Sequence, residues 1–143
     1  MKLVDVNILV YAVNSDAPQH ERSRRWLENA LSGAETIGLA WSVLLAFLRI
    51  TTRRGILERP MTTIGAIGYI DSWLRQPQVE LVEPGPGHWT ILRSLIATAG
   101  TAGNLTADAH LAALAIEGGW TLVSNDNDFR RFSGLDVLNP LSA

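Results

Sequence analysis

The sequence predicts an α/β protein in which helices cover both faces of a central parallel sheet of four to five strands, a three-layer α/β/α arrangement. Short apolar runs rich in strand-forming residues alternate along the chain with longer stretches of helical periodicity. Such alternation is typical of parallel sheets whose strands are joined by crossover helices. The chain shows no repeat, linker or low-complexity segment, so we expect one domain over residues 1–143.

Composition supports a globular protein and excludes several classes of site. Hydrophobic residues make up 47% of the chain and charged residues 18%, which argues against disorder. Cysteine is absent, so a disulfide framework, a thiolate zinc site and a cysteine nucleophile are excluded, and we expect the reducing cytoplasm. No apolar run is long enough for a membrane span, and Asp5 comes too early for a signal peptide.

The charge balance is not that of a broadly basic nucleic-acid-binding protein. The formal net charge is −2, and eleven of the twelve basic residues are arginines, the exception being Lys2. Arginine suits bidentate contacts to phosphate. A coding bias of a high-GC genome would produce the same preference, so both explanations remain open.

The first part of the chain contains two strand–helix units. We expect a buried first strand ending near Asp5, then a short helix, then a helix over residues 18–31 that stops at Gly33. Residues 36–40 form the predicted second strand. A helix capped by Ser42 follows, and its residues are apolar nearly all round, which implies burial or a partner.

The next helix is predicted to begin at Thr62 or Thr63. Four apolar residues recur on one helical stripe, so we expect that stripe to face the core. These residues are Ile64, Ile67, Ile70 and Leu74.

The second half of the chain repeats the alternation. Residues 79–82 are predicted to form a third strand, and a helix begins near Trp89 and ends at Gly100. Thr106 is the expected N-cap of a further helix that ends at a glycine pair. The apolar runs 120–123 and 135–138 are the last two predicted strands.

Three aspartates fall where predicted elements begin or end. Asp5 follows the first strand, Asp108 lies in the first turn of a helix, and Asp126 lies just past a strand. Ligand crevices in open α/β sheets lie outside the carboxyl ends of the strands, so these side chains are candidates for one site. For Asp5 an alternative is a structural role, capping the next helix through the amide of Asn7 or Ile8.

Converging carboxylates repel one another, and a hard divalent cation relieves the repulsion. Carboxylate oxygens and water are the ligands that Mg²⁺ favours. Such an ion can activate water and stabilise the leaving oxygen of a phosphodiester. The sequence therefore predicts a magnesium-dependent hydrolytic site.

Other polar residues favour structural interpretations. Asp128 fits best as the N-cap of a short helical turn over residues 129–132. The histidines do not have the spacing of a zinc site, and we expect His110 to be a surface or core residue. A group of arginines can contact phosphates or form a solvated face. These are Arg53, Arg54 and Arg59.

Common nucleotide-binding and phosphotransfer motifs are absent. The chain has neither a Walker A loop nor a Gly-x-Gly-x-x-Gly fingerprint. An aspartate after the first strand also occurs in phosphoaspartate enzymes. Those enzymes need a late lysine, whereas the only lysine here is Lys2, and Asn7 stands where their second aspartate is expected.

Three segments carry a family resemblance. They are Val-Asp-Val-Asn at residues 4–7, Asp-Ala-His-Leu-Ala-Ala-Leu-Ala at residues 108–115, and Ser-Asn-Asp-Asn-Asp-Phe at residues 124–129. In this order and spacing the chain resembles the PIN domain, and in particular the VapC toxins of bacterial type II toxin–antitoxin systems. The resemblance spans nearly the whole chain, and the last two segments are its most specific part.

The resemblance implies a PIN-like fold and an Mg²⁺- or Mn²⁺-dependent endoribonuclease acting on tRNA or other structured RNA. It also implies a VapB-like antitoxin partner and a homodimer. Asp5 and Asp108 match the principal metal ligands, and Asp126 matches a ligand that binds directly or through water. Asn7 matches a residue that orients the first aspartate, and Arg49 an arginine common after the second motif.

One position departs from the family pattern. The family commonly carries a glutamate three residues before the arginine, and Ala46 stands there in this chain. The chain can belong to a subgroup that works with three acids, be an engineered inactive form, or be a natural module that binds RNA or antitoxin without cleavage. Asp128 and Glu58 are the candidates for a compensating carboxylate.

Overall fold

One parallel sheet lies at the centre of the computed structural model, which describes residues 1–142. Its strands are β1 (Lys2–Val4), β2 (Ile37–Ala40), β3 (Val79–Val82), β4 (Thr121–Val123) and β5 (Val137–Leu138). They lie in the order β3-β2-β1-β4-β5, and every pair is parallel. The predicted α/β class with a central parallel sheet is confirmed, and the sheet has five strands. Ala143, the last residue of the predicted domain, lies outside the described residues.

Helices cover this sheet in two groups. They are α1 (Val6–Val13), α2 (His20–Ser32), α3 (Trp41–Thr52), α4 (Thr63–Leu74), α5 (His88–Ala99) and α6 (Thr106–Gly118). Helices α1 to α4 pack against one another, and α5 packs against α6. The chain adds strands outward from β1 to β3 and then returns to the other side of β1. Because parallel crossovers are right-handed, this reversal sends the two groups of helices to opposite faces of the sheet.

Two helices begin differently from the prediction. Helix α3 begins at Trp41, directly after β2, with Ala40 in the cap position and no side-chain cap bond. Ser42 therefore lies inside the first turn, and its predicted capping role is wrong because the strand passes into the helix without a loop. Thr106 is not an N-cap either: a 3₁₀ turn over Gly103–Leu105 leads into α6, and Thr106 already has helical backbone angles.

Other predicted helix ends are confirmed. Thr62 caps α4, its hydroxyl accepting a hydrogen bond of 3.0 Å from the Gly65 amide. Gly100 and Gly119 end α5 and α6 with left-handed backbone angles, φ 76° and 71°, which glycine adopts without a Cβ clash. These three helix ends are thus encoded by the local sequence.

The core lies between the sheet and both groups of helices. Helix α6 is buried along most of its length, and its alanines allow it to approach the sheet closely. Burying each large apolar side chain contributes about 1.5–3 kcal/mol. The largest fully buried side chains include Phe47, Phe129, Leu3, Ile8, Leu9, Ile37 and Leu122.

Helix α4 is rotated relative to the prediction. Of the predicted apolar stripe, Ile70 and Leu74 are half-buried and pack against the core, whereas Ile64 and Ile67 are 83% and 43% exposed. The fully buried residues of the helix are Ala66 and Trp73. The Trp73 ring packs edge-on against Phe47 of α3, with ring centroids 4.9 Å apart. This aromatic contact, which the helical period does not reveal, orients the helix.

The predicted apolar surface of α3 is only half covered. Its buried face includes Val43 and Leu44, whereas Trp41 and Leu45 on the other side are 49% and 60% exposed. Despite these apolar residues, no helix within residues 1–142 combines the length and hydropathy needed to cross a membrane.

Candidate active site

The candidate site lies where the order of the strands reverses. Strands β1 and β4 are neighbours in the sheet, and Val4 pairs with Val123. The next residues, Asp5 and Ser124, therefore leave the carboxyl ends of the two strands side by side. Such switch points are where open α/β sheets form ligand crevices.

Asp5 is buried, with 8% of its surface exposed, and both carboxylate oxygens are hydrogen-bonded. Oδ1 accepts from the Val6 amide at 2.7 Å, which caps α1, and Oδ2 accepts from the Ser124 hydroxyl at 2.7 Å. The capping role is therefore real, but it uses Val6 rather than Asn7 or Ile8. Burial raises the pKa of the Asp5 carboxyl, while these two hydrogen bonds oppose the rise.

Ser124 connects the strand side of the site, and sequence reasoning assigned it no role. Its hydroxyl donates to Asp5 and accepts from the Asp126 amide at 3.0 Å and from Asn7 Nδ2 at 3.3 Å. Asn7 Oδ1 also accepts from the Asn125 amide at 3.3 Å. Asn7 thus reaches Asp5 through Ser124. The position of Ser124, directly after a strand as Asp5 is, was the signal available in the sequence.

Asp126 turns the chain after β4. Its Oδ1 accepts a 2.9 Å hydrogen bond from the Asp128 amide and caps the 3₁₀ helix Asn127–Arg131. The predicted cap, Asp128, is therefore wrong: Asp126 has the extended backbone that a cap requires, and Asp128 lies inside the helix with its side chain exposed.

Asp108 completes the cluster from the helix side. It lies half-buried in the first turn of α6, and within residues 1–142 its side chain has no hydrogen-bond partner. Burial, together with the negative charges of Asp5, Asp126 and Asp128, raises the pKa of its carboxyl to about 6, and Arg131 opposes the rise. The structure thus brings the three predicted aspartates within electrostatic reach of one another.

The donor set suits a hard cation, although the side chains do not form a ready cage. In the described part of the chain, no three His, Cys, Asp or Glu side chains are grouped closely enough to hold a metal ion. Asp108 nevertheless lies near the negative charges of Asp5, Asp126 and Asp128, which add to the effect of its burial in raising its pKa. Oxygen donors with excess negative charge are what Mg²⁺ and Mn²⁺ bind. Metal binding stays a prediction.

Two predicted positions on α3 lie apart from this hydrogen-bonded network. Arg49 is exposed in the last turn, and its side chain forms no hydrogen bond or ion pair within residues 1–142. Its role stays a prediction. Ala46 is half-buried on the same helix. Of the arginine group, Arg59 pairs with Asp16 at 2.6 Å and is not free for phosphate.

A pair of histidines lies between α5 and α6. His88 Nε2 and His110 Nδ1 are 2.9 Å apart, with the rings edge to face. His88 is buried and His110 half-buried, in agreement with the expected structural role. Burial and the neighbouring His88 lower the pKa of His110. The two residues are 22 positions apart, so only the packing of the helices reveals the pair.

Comparison with known proteins identifies the family of this chain and agrees with its fold. The PIN domain matches residues 2–135. Ribonuclease VapC37 of Mycobacterium tuberculosis is 47% identical over 94% of both chains, and Ribonuclease VapC33 of the same species is 42% identical over 99% of both. The chain therefore belongs to the PIN-domain family and, within it, to the VapC group.

A solved structure shows the same fold at lower sequence similarity. VapBC2 from Rickettsia felis, bound to a DNA fragment from its promoter, superposes with a TM-score of 0.70 at 22% identity. The match covers 96% of this chain and 97% of that chain. The α/β/α architecture is thus common to both proteins.

Proposed function

We propose that this chain is a metal-dependent endoribonuclease and the toxin of a toxin–antitoxin pair. The observation that carries the proposal is the convergence of Asp5, Asp108 and Asp126 at the switch point of the sheet. The names of its two relatives, both ribonucleases, support RNA as the substrate.

The protein's own groups hold and orient the acids. Ser124 and the Val6 amide fix the Asp5 carboxylate, and Asn7 holds Ser124 in place. We infer that Asp5 and Asp108 hold Mg²⁺ or Mn²⁺, with Asp126 binding directly or through water. When bound, the ion supplies a water of lowered pKa and neutralises charge on the phosphodiester. The carboxylates act as ligands and not as nucleophiles.

A module that binds without cleaving is the less favoured alternative. It rests on Ala46, which stands at the position of the family's common glutamate. The two relatives, which match nearly the whole chain, are named as ribonucleases, and this favours an enzyme that works with three acids.

The test is cleavage of a pool of tRNA and other structured RNA with Mg²⁺, with Mn²⁺ and with EDTA. We expect cleavage that requires metal and falls at least about 100-fold in Asp5→Asn and Asp108→Asn, because each loses a charged metal ligand. Asp71→Asn, an exposed site on α4, is the matched control and should cleave normally.

Cleavage that persists in EDTA or in Asp5→Asn would overturn the proposal. So would the absence of cleavage by a wild-type protein that binds the metal. In the latter case Ala46→Glu separates a disabled site from a binding module, since only a disabled site gains cleavage from the added carboxylate.

We also propose a VapB-like antitoxin as the protein partner, and a homodimer. The name of the structural neighbour, VapBC2, pairs a VapB with a VapC. The exposed apolar residues Leu45 and Ile64 favour a protein interface. Light scattering of the purified chain tests the homodimer.

The position of the antitoxin is tested by co-purification with the product of the adjacent gene. We expect the antitoxin to place an arginine among the acids, so Asp108→Arg should weaken the complex. Unchanged binding by this variant would contradict that placement.

A further inference from the structure

A cavity of about 400 Å³ lies between α5 and the end of the 3₁₀ helix that follows Asp126. The proposed catalytic residues do not line it. Its lining includes Ser94, Leu95 and Thr98 from one side and Arg131, Phe132 and Ser133 from the other.

The cavity adjoins the acidic cluster. Arg131 Nη2 lies 3.9 Å from the Asp128 carboxylate, and its positive charge acts on Asp108. The 3₁₀ helix that carries Arg131 is capped by Asp126. One wall of the cavity is therefore the end of the same 3₁₀ helix that Asp126 caps.

The lining combines an apolar base with hydroxyl groups that are free to bind. Phe132 is 5% exposed and Leu95 is half-buried. Within residues 1–142 the hydroxyls of Ser94, Thr98 and Ser133 form no side-chain hydrogen bond. They are available to recognise a polar edge of a ligand.

The charge and size of the cavity favour an anionic, partly apolar ligand. Arg131 is the charged group of the lining, its side chain is 44% exposed, and its contact to Asp128 is long for an ion pair. Arginine suits phosphate, and the volume falls in the range of about 300–1,000 Å³ typical of small-ligand sites. Proteins that read single-stranded RNA place unstacked bases against such apolar surfaces.

We propose that this cavity binds one unstacked nucleotide of the RNA strand beside the phosphodiester to be cleaved. Arg131 contacts the nucleotide's phosphate, the base lies against Leu95 and Phe132, and the Ser94 and Thr98 hydroxyls select among bases. The inference rests on the proposed ribonuclease function and deepens it, because it names the residues that determine which RNA sites are cleaved.

The first test measures cleavage of an RNA library whose single-stranded loop is randomised. Arg131→Ala should raise KM roughly tenfold, the loss expected for one charge-assisted phosphate contact, and leave kcat nearly unchanged. Thr98→Leu should change the preferred base at one position next to the cleaved bond. The controls Arg130→Ala and Ala97→Leu, at exposed neighbouring positions outside the cavity lining, should do neither.

The second test does not depend on cleavage. The four nucleoside monophosphates, and inorganic phosphate alone, are titrated in EDTA into the ¹⁵N-labelled wild-type protein. We expect amide shifts at residues 94–98 and 131–133 with the nucleotides, and clearly weaker shifts with inorganic phosphate.

The outcomes separate this inference from the proposed function. If the wild type cleaves RNA but Arg131→Ala behaves like Arg130→Ala and nucleotides cause no shifts, the subsite is wrong and the ribonuclease stands. If nucleotides bind the cavity but no RNA is cleaved, the subsite stands as a nucleotide site and the ribonuclease fails. Equal shifts with inorganic phosphate would show a simple anion site and overturn the proposed role of the base.

Discussion

The strand side and the helix side of the acidic site hold their carboxylates in different ways. On the strand side, Asp5 is 8% exposed, and both of its oxygens accept hydrogen bonds of 2.7 Å. On the helix side, Asp108 is half-buried and has no hydrogen-bond partner within residues 1–142. The more buried carboxylate is thus the one whose negative charge is better stabilised by hydrogen bonds.

The two carboxylates therefore differ in what the protein does to them: Asp5 is held in a fixed position, whereas Asp108 carries a destabilised negative charge. Hydrogen bonds to Asp5 stabilise its ionised form and fix its orientation, so the strand side provides a defined reference point. Burial, together with repulsion from Asp5 and Asp126, raises the pKa of Asp108 to about 6. A bound cation would relieve this repulsion at Asp108.

The largest expected effect on stability comes from breaking the strand side with Ser124→Ala. The change leaves a buried Asp5 oxygen and the Asp126 amide without their partner, so the free energy of unfolding should fall by about 1–3 kcal/mol. Urea unfolding in EDTA measures it. Ser124→Thr, which keeps the hydroxyl, and Ser42→Ala, an exposed serine on α3, should lose much less. Equal stability of Ser124→Ala and Ser42→Ala would show that the Ser124 hydroxyl does not stabilise the strand side of the site.

Removing the negative charge on the helix side should instead increase the free energy of unfolding. The pKa of Asp108 rises on folding from 3.8 to about 6, so its ionisation destabilises the folded state as pH rises through this window. The full shift corresponds to about 3 kcal/mol, which solvent screening of a half-exposed group reduces to about 1 kcal/mol.

Asp108→Asn should therefore unfold at higher urea than wild type at pH 7.5 in EDTA, and the gain should shrink as pH falls towards 4. The exposed Asp71→Asn serves as the control and should show no such dependence. A variant less stable than wild type at pH 7.5 would show that Asp108 makes a stabilising contact.

The smallest effect on stability is expected from Asp126→Ala, because this change has two opposing consequences. It loses a cap, worth about 0.5–1 kcal/mol, but also removes a negative charge near Asp108. The net change in stability should be small, and the pKa of Asp108, followed by NMR, should fall below about 6. Asp136→Ala, at an exposed position, should leave that pKa in place. An unchanged pKa in Asp126→Ala would place Asp126 outside the cluster.

Some features of the fold follow from local patterns and were accessible from the sequence. The alternation of apolar runs and helical stretches predicted a sheet of four to five strands, and left-handed glycines ended α5 and α6 where expected. The rotation of α4 was not accessible, because it depends on Trp73 packing on Phe47, and the two residues lie on different helices. The buried and the exposed residues of α4 are both apolar, so helical periodicity does not reveal which of them face the core.

By itself, the sequence determined which acids fall at the ends of strands and helices. Short-range patterns around Asp5, Asp108 and Asp126 indicate where these elements begin and end. Only the tertiary structure decided how each acid is held. Ser124 meets Asp5 because β1 and β4 are neighbours in register, although the two residues are 119 positions apart. The pKa of Asp108 likewise depends on burial and on charges from distant segments, and these interactions exist only once the chain has folded.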